Sequence, residues 1–444
     1  MENKHLHTIL AVWINLCRFL LAGVFIFSGF VKVNDPYGFA YKIQDYLEAW
    51  GLLQITPQFA PYIGSMAMGI LEFTLGVYLL FGIHRKAVCT LFFLLMAFMT
   101  PLTLWLAIAN PISDCGCFGD AVILTNWETF GKNVVLLIAA ITVFRWRGTG
   151  IKKLVTEKVD WLIALYTVVF ALLFSIYCVR ELPLFDFRPY YIGMDIKRGM
   201  EIPEGEKPTV YETTFIYEKD GVEKEFTIDN FPSDSAWTFV DAETRVKEQG
   251  YEPPIQDFHI VLQEDGTDVT EEVLDDDNYT FLLISPQLRN ADESGMDLIN
   301  EVYDYSMEYG YRFLCVTASP DEDIAVWQDN TGAEYPFALA DEITLKTIIR
   351  SNPGLVLLKG GVILNKWSVN SIPDEYQLHA PLADLPIGTL TVPNTWHKVA
   401  GILGWFFGPL LFLTLCDLLW LKWSKKRKKK HAYSPQGTQS TTEE

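Results

Sequence analysis

Cysteine and histidine are scarce in this 444-residue sequence, with seven of each. The cysteines are Cys17, Cys89, Cys115, Cys117, Cys178, Cys315 and Cys416. An odd number spread so thinly is not a disulfide scaffold. Residues 181–395 own only Cys315, so that stretch must stand on a hydrophobic core. Basic residues are scarce there too: 42 Asp and Glu stand against 14 Lys and Arg, while the rest of the chain carries 13 against 21. An acidic stretch without a basic stripe argues against nucleic acid as a partner. The sequence also lacks an inverted repeat and a pair of Gly/Pro-broken spans, so nothing in it supports solute transport. No small-residue cleavage site follows the first apolar segment, which therefore reads as a retained anchor rather than a removed signal peptide.

Apolar runs, by contrast, are plentiful: 50% of residues are hydrophobic although the net charge is -20. The chain reads as two unlike parts, one apolar with a basic surface and one acidic and water-facing. About 20 apolar residues in helix cross a hydrocarbon core. Six stretches qualify, at roughly 10–33, 62–83, 87–109, 130–146, 159–180 and 396–423. Lys and Arg in short loops mark the cytoplasmic side. His84, Arg85 and Lys86 fall in one such loop, Arg145, Arg147, Lys152, Lys153 and Lys158 in another, and Lys422 with the run 425–430 follows the sixth stretch. The opposite loops hold Asp35, Asp45 and Glu48, then Asp114, Asp120 and Glu128, then the acidic stretch. The expected topology is a multi-pass protein of the cell (inner) membrane, with both termini cytoplasmic and residues 181–395 extracytoplasmic. Residues 34–60, with Tyr37, Phe39, Tyr41, Tyr46 and Trp50, suit a short amphipathic helix at the membrane interface. The tail 425–444 reads as basic and disordered. Its cationic run is a stop-transfer signal, with anionic membrane lipid as a further partner.

Within the acidic stretch, Val210–Tyr217 and Val222–Asp229 alternate around Lys219-Asp220-Gly221, a hairpin signal. Phe258–Gln263 reads as a strand, Glu264-Asp265-Gly266 as a turn and Val269–Leu274 as a short element. Tyr279–Ser285 and Tyr311–Thr317 are continuous apolar runs of the buried-strand type. Met296–Tyr309 has helical period and is ended by Gly310. A further helix lies within Leu339–Arg350. Gly354–Lys359 and Val362–Trp367 form a hairpin around Gly360-Gly361.

This order, carried by FHIVLQEDGTDVTEEVLDDDNYTFLLIS, FLCVTAS and SNPGLVLLKGGVILNKW, resembles the thioredoxin-like fold of membrane-tethered thiol-disulfide proteins over about residues 253–372. The resemblance implies that Pro353 is the cis-proline that abuts the active site, with Asn352 beside it as a second partner-binding residue. The family's Cys-x-x-Cys position is occupied here by Ser285-Pro286-Gln287-Leu288-Arg289-Asn290-Ala291, which holds no thiol. Cys315 lies inside a buried strand and reads as a small hydrophobe. This domain is thus expected to bind or position a partner rather than to exchange dithiols alone.

The informative membrane loop is Asp114-Cys115-Gly116-Cys117-Phe118-Gly119-Asp120. Two cysteines one residue apart can close a small, strained and therefore oxidising bridge, and Gly116 permits the tight backbone. A thiol pair on an oxidising face suits electron exchange with exported proteins. The rival uses are a metal clip, for which no nearby His supplies further ligands, and a pairing with Cys178. Cys17, Cys89 and Cys416 read as packing residues. Glu72, near the middle of the second stretch, is an intramembrane acid and a functional candidate by default. It is read either as an ion pair with Arg18 or Lys32, or as part of a proton relay. Lys32, near the level of the cysteines, can stabilise a thiolate. Asp417 reads as snorkelling to the interface.

RFLLAGVFIFSGFVKVNDPYGFA, GILEFTLGVYLLFG and ISDCGCFGDAVILTNWETFGKN resemble the DoxX/MauE family of four-helix membrane proteins over about residues 10–147, and the Cys-Gly-Cys-Phe-Gly piece points to its MauE side. The resemblance implies disulfide chemistry for exported proteins, a separate thioredoxin-like protein as a usual neighbour and, from the DoxX side, a quinone as electron partner. No other cofactor and no metal is expected. The fold class is then an α-helical membrane bundle, a four-helix DoxX/MauE-like core plus two further spans, with an extracytoplasmic α/β thioredoxin-like domain. The divisions are 1–150 for the four-helix domain, 151–180 for the fifth span, 181–252 for a β-rich region, 253–390 for the degenerate thioredoxin-like domain, 391–424 for the sixth span and 425–444 for the tail. Two functional readings follow. In one, Cys115 and Cys117 form a redox pair between extracytoplasmic protein thiols and a membrane acceptor, with Glu72 and Lys32 assisting. In the other, the chain is a non-catalytic assembly or scaffold factor whose thioredoxin-like domain binds a partner.

Overall fold

The computed structural model describes residues 2–112, 114–157, 159–219, 222–227, 230, 237–248, 250–392 and 394–432. Lys158, the Asp220-Gly221 turn and residues 433–444 of the tail lie outside the described residues. The chain divides into two compact units, one of residues 1–188 with 393–444 and one of residues 189–392.

The first unit is helical. Its helices are α1 (Glu2–Asn34), α2 (Pro36–Ala49), α3 (Ala60–Phe81), α4 (Arg85–Ala109), α5 (Asn126–Arg145), α6 (Asp160–Arg180) and α12 (Thr395–Ala432). All of them except α2 are long and apolar enough to cross a membrane, giving six spans within this multi-pass membrane protein. The short α2 starts at Asp35, whose carboxylate caps it by accepting the Gly38 N–H. It is the amphipathic helix expected of residues 34–60. At the other end of the chain α12 runs on to Ala432, so residues 425–432 are helical where the sequence reads as a disordered tail.

Glycines bring α1 and α3 together. A Cβ on Gly29 would stand 2.2 Å from the Phe73 amide nitrogen, and one on Gly69 would stand 3.0 Å from Lys32 Cβ. In a bilayer, where helix association gains nothing from leaving lipid, such close backbone approach is a main source of packing energy. α4 lies along α5, joined by Asn133 Nδ2 donating to Thr103 Oγ1 at 3.2 Å. Arg18 of α1 is 1% exposed and donates to the carbonyls of Leu79 (2.9 Å), Leu80 (2.6 Å) and Lys152 (3.0 Å). The guanidinium thereby gives the Leu80 carbonyl at the end of α3 a donor and adds a second one to Leu79, which also accepts the Gly82 N–H. It makes no ion pair with Glu72. Asp417 does not simply reach for the interface, since its Oδ2 accepts the Thr156 hydroxyl at 2.6 Å.

The second unit is built on a six-stranded mixed sheet of order β4-β7-β6-β5-β8-β9. Its members are β4 (Val261–Leu262), β5 (Tyr279–Ser285), β6 (Arg312–Thr317), β7 (Phe337–Leu339), β8 (Gly354–Lys359) and β9 (Val362–Ser368). Every residue of β5 is buried. β5 and β6 pair in parallel, with Leu283 opposite Cys315, while β8 joins β5 antiparallel. α9 (Met296–Tyr309) and α10 (Asp321–Thr331) cover the sheet around a core that includes Phe281, Leu283, Ile299, Trp327, Tyr335 and Leu357. Full burial of each such side chain contributes about 1.5–3 kcal/mol. The peptide Asn352–Pro353 that leads into β8 is cis. A central parallel pair, an antiparallel hairpin and a cis-proline loop before β8 make this a thioredoxin-like fold.

The strand expected over Phe258–Gln263 shrinks to β4. Ile260 spends its N–H on Thr270 Oγ1 and its carbonyl on the Val269 N–H, outside any sheet ladder. Val269–Leu274 supplies a short helix, α8 (Thr270–Leu274). The helix in Leu339–Arg350 is α11 (Glu342–Ile348). On the far edge the entry segment pairs with β9: Gly193 donates to the Ile363 carbonyl and Ile363 donates to the Met194 carbonyl. That contact covers an otherwise open strand edge. It precedes α7 (Ile196–Met200). A separate antiparallel sheet, order β2-β1-β3, holds β1 (Val210–Lys219), β2 (Val222–Thr227) and β3 (Thr238–Glu248).

Candidate functional site

The loop between α4 and α5 carries Cys115 and Cys117, and its two ends are fixed. On the α4 side, Asn126 Nδ2 donates to Asn110 Oδ1 (2.9 Å) and to the Ile112 carbonyl (2.8 Å). On the α5 side, Thr125 and Glu128 form a reciprocal capping box. Between them Gly116 takes φ +67°, the left-handed region open to glycine. Its amide donates to Asp114 Oδ1 at 2.9 Å, and Asp114 Oδ2 accepts from Lys42 of α2 at 2.8 Å. Tyr46, one turn further along α2, donates to the Cys115 carbonyl at 3.3 Å. Helix α2 therefore lies across the loop.

The two sulfurs stand 2.7 Å apart. That is closer than two unbonded sulfurs settle, yet longer than the ~2.05 Å of a disulfide. Cys115 is buried and Cys117 is half-buried. The Cys115 thiol donating to it, helped by the Lys132 and Lys32 ammonium groups, holds Cys117 down at about 6 against the penalty of burial. Cys115 is pushed in the opposite direction by giving its proton to Cys117 and by burial. Burial also raises the Tyr46 hydroxyl, which remains a neutral donor. Of the two sulfurs, Cys117 is the better thiolate and the better leaving group.

Beneath the loop, α1 and α3 supply a polar cluster. Lys32 Nζ donates to Glu72 Oε2 (2.7 Å), Ser28 Oγ (2.8 Å) and the Cys117 carbonyl (3.0 Å). The Ser28 hydroxyl lies 2.6 Å from the same carbonyl and 2.7 Å from Glu72 Oε2. Lys32 is 3% exposed and Glu72 14%. The Gly29 and Gly69 contacts that draw α1 onto α3 are what let these side chains meet. Glu72 thus pairs with Lys32, and the pair is tied to the backbone of Cys117. On the opposite wall Lys132 of α5 stands 4.2 Å over the Phe118 ring. A cavity of about 240 Å³ adjoins both cysteines, Lys32, Glu72 and Lys132.

The sequence reading singled out Cys115, Cys117, Lys32 and Glu72, and the fold brings all four together. It missed Ser28, Lys42, Tyr46, Asp114 and Lys132 as members of the site. The spacing of Ser28 and Lys32, four apart on one helix, was a legible signal for one of them. Cys178 packs with Val33 and Phe174 and forms no bridge. Cys17 and Cys89 pack in the bundle core as expected. Cys416 is exposed on α12 rather than packed.

In the second unit the site expected from the thioredoxin-like resemblance is assembled without sulfur. Ser285 Oγ donates to Asn352 Oδ1 at 2.7 Å, and Asn352 Nδ2 donates to the Gln287 carbonyl at 2.8 Å. The cis-proline loop therefore lies against the end of β5. Cys315 is fully buried, and burial pushes its thiol up, away from reactivity.

Residues 8–145, which hold α1 to α5 and the Cys-Gly-Cys loop, match the family described as methylamine utilisation protein MauE. Residues 211–249, the small three-stranded sheet, match a domain of unknown function (DUF8463). No curated protein matches the chain. Among solved structures, a solution structure from Bacteroides thetaiotaomicron, provisionally described as a protein disulfide isomerase, is similar at 20% identity and a TM-score of 0.22, covering 26% of this chain and 76% of that one.

Proposed function

We propose that this chain is a thiol–disulfide redox protein of the cell (inner) membrane, in which Cys115 and Cys117 pass electrons from extracytoplasmic protein thiols to a membrane acceptor. The observation that carries the reading is the sulfur pair itself. It is tightly apposed, electrostatically unequal and set on a buried Lys32–Glu72 ion pair at one end of the bundle. The distribution of Lys and Arg among the loops supports both termini being cytoplasmic and the 110–125 loop and residues 181–395 being extracytoplasmic.

In the reaction a client thiolate attacks the Cys115 sulfur of the oxidised pair. The S–S bond breaks and Cys117 leaves as the thiolate, the form its surroundings favour. A second client thiolate then attacks the client sulfur of the mixed disulfide. The client gains a disulfide, and Cys115 and Cys117 hold the two electrons until the acceptor takes them. Cys115 lies under Lys42 and Tyr46, so client entry requires α2 to shift. The test is trapping in intact cells. In Cys117→Ser no bridge can form, but Cys115 can still attack the disulfide of an already oxidised client, releasing one client thiol. With no second thiol to resolve the product, mixed disulfides between Cys115 and exported proteins should accumulate. A pair that stays fully reduced and unreactive in native membranes sinks the proposal.

A second reading is favoured by one observation: in the thioredoxin-like unit the Asn352–Pro353 loop lies against the end of β5 and no cysteine stands beside it. In that reading the chain is an assembly factor that binds a partner through Asn352 and Pro353. The same trapping decides. Serine at 115 and 117 would then lower abundance without any redox phenotype, and a stoichiometric partner, such as a separate thioredoxin-like protein, would co-purify.

A further inference from the structure

In the reaction just proposed Cys117 leaves first and Cys115 second, and the two departures are not equally provided for. Lys32 reaches the Cys117 carbonyl at 3.0 Å, and both Lys32 and Lys132 favour charge on its sulfur. When the second client thiolate attacks, the electron pair of the mixed disulfide comes to rest on Cys115 instead. Lys42 is committed elsewhere, with its ammonium 2.8 Å from Asp114 and 3.7 Å from Asp45. Tyr46, one turn further along α2, is the side chain at hand. Its hydroxyl donates to the Cys115 carbonyl at 3.3 Å, longer than the ~2.7–2.8 Å typical of O–H···O bonds. A bond that long is readily given up when a charged acceptor appears beside it. The Cys115 sulfur is such an acceptor: apart from Cys117, the Tyr46 hydroxyl is its one side-chain hydrogen-bond partner among the described residues. The tyrosine ring packs on Trp50, with centroids 5.8 Å apart, and lines the same cavity as both sulfurs. Helix α2 is pinned where it begins, since the fully buried Ser65 of α3 donates to the Pro36 carbonyl at 2.6 Å.

We infer that Tyr46 is a catalytic residue of the second half-reaction: its hydroxyl donates to the Cys115 sulfur as that sulfur leaves the mixed disulfide. The inference rests on the redox reading above. In the step itself the second client thiolate attacks the client sulfur bound to Cys115. The client S–S bond forms, the bond between Cys115 and the client breaks, and its electron pair goes to Cys115 Sγ. Tyr46 stabilises that charge through the hydrogen bond. It keeps its own proton, because burial raises its hydroxyl well above the usual range. Of the two protons the client thiols give up, one ends on Cys115. The other goes to water, since Cys117 stays a thiolate above about pH 6. The shift of α2 that admits the client takes Tyr46 away from Cys115, and the pinned start of the helix brings it back to the same register. Opening uncovers the sulfur; closing supplies the donor that lets it leave.

Single-turnover kinetics test the role. The full chain, purified into phosphatidylcholine nanodiscs with Cys115 and Cys117 oxidised, is mixed with a reduced fluorescent peptide carrying two cysteines. Acid quenching at intervals reads the mixed disulfide and the oxidised peptide. Tyr46→Phe keeps the ring against Trp50 and removes only the hydroxyl. Mixed disulfide should form within twofold of the native rate and pass on to oxidised peptide at least tenfold more slowly, the loss of one hydrogen bond to a charged sulfur. 3-Fluorotyrosine at position 46 is a stronger donor of nearly the same shape and should hasten that second step. It carries the test by itself if Tyr46→Phe does not fold, and an unchanged rate there counts against the hydroxyl. Lys42→Met, which releases α2 from Asp114, should quicken formation of the mixed disulfide and leave its decay within twofold. Equal slowing of decay by Lys42→Met and Tyr46→Phe would reduce Tyr46 to a latch. Decay at the native rate in Tyr46→Phe, or a loss confined to formation, overturns the role of Tyr46 and spares the redox reading. A native chain that yields neither mixed disulfide nor oxidised peptide takes down both.

Discussion

In the thioredoxin-like unit, the end of β5 is held against a cis-proline loop by Ser285, Gln287 and Asn352, and none of these residues is a cysteine. In the helical unit, two sulfurs are held in a loop by Asp114, Lys42, Tyr46, Ser28 and Lys32, and no sheet is present. One unit has the thioredoxin-like scaffold with no thiol beside its cis-proline loop, and the other has a close thiol pair without that scaffold. The comparison teaches that a clamped backbone, a nearby cation and restricted water, which together favour one thiolate, do not require a sheet. All three are available at the end of a helical bundle.

The sharpest way to break that contrast is to remove sulfur from each unit in turn. Cys117→Ser should lower the rate of thiol oxidation at least a hundredfold, measured as turnover of a reduced model protein by membranes. Cys315→Ala, inside β6, should leave that rate within twofold. It should reduce the stability of the sheet unit by about 1 kcal/mol, since one buried sulfur leaves a small void.

The next largest effect concerns what the sulfurs rest on. Lys32→Met strands Glu72 inside the bundle, and breaking one side of a buried pair costs about 3–5 kcal/mol. The expected result is a clear fall in thermal stability in detergent, largely recovered by adding Glu72→Met. An unchanged midpoint for the single variant would show that the cluster is solvated and is not the support described.

The inequality of the two sulfurs gives a pH test. A thiol held near 6 is a thiolate above that pH and loses reactivity as pH falls through it. Alkylation of the reduced chain at Cys117 should therefore rise to a plateau by about pH 7, with Cys115 lagging throughout. Lys132→Met removes one of the two cations and should move the Cys117 midpoint upward. Identical profiles for the two cysteines would erase the assignment of leaving group.

The smallest effect lies in the sheet unit. Asn352→Ala removes the acceptor for Ser285 and the donor to the Gln287 carbonyl, at about 1 kcal/mol each. It should soften that unit in denaturant without altering thiol oxidation. A drop in oxidation would mean that the thioredoxin-like unit contributes to the reaction.

Much of this was legible in the sequence because its signals are strong where they occur. The six spans follow from run length alone. β5 and β6 follow from unbroken apolar runs, and α9 from its period and its Gly310 stop. Cys115, Gly116 and Cys117 stand out by chemistry, and Glu72 by being ionisable within a span. The losses have physical causes. α10, DEDIAVWQDNT, opens with three acids and has too few apolar positions to show a stripe. β7 is three residues long, below the reach of any periodicity. Tyr46 reads as an interface residue and Lys42 goes unmarked because nothing local says that α2 folds across a loop some 70 positions away. The choice between Arg18 and Lys32 as partner of Glu72 rested on helix packing, which the glycines decide.

Arg18 has a consequence for biogenesis. Its three acceptors are carbonyls of residues 79, 80 and 152, all made later by the ribosome. Until residue 79 is synthesised and α3 is in place, the first segment carries an unsatisfied cation within its apolar length, a state worth about 2.5–3.5 kcal/mol against insertion. Insertion of the first segment is thereby favoured by the arrival of α3, whose Leu79 and Leu80 carbonyls take two of the three donated hydrogen bonds. A nascent chain arrested before α3 emerges should be extracted by alkali more readily than one arrested just beyond it.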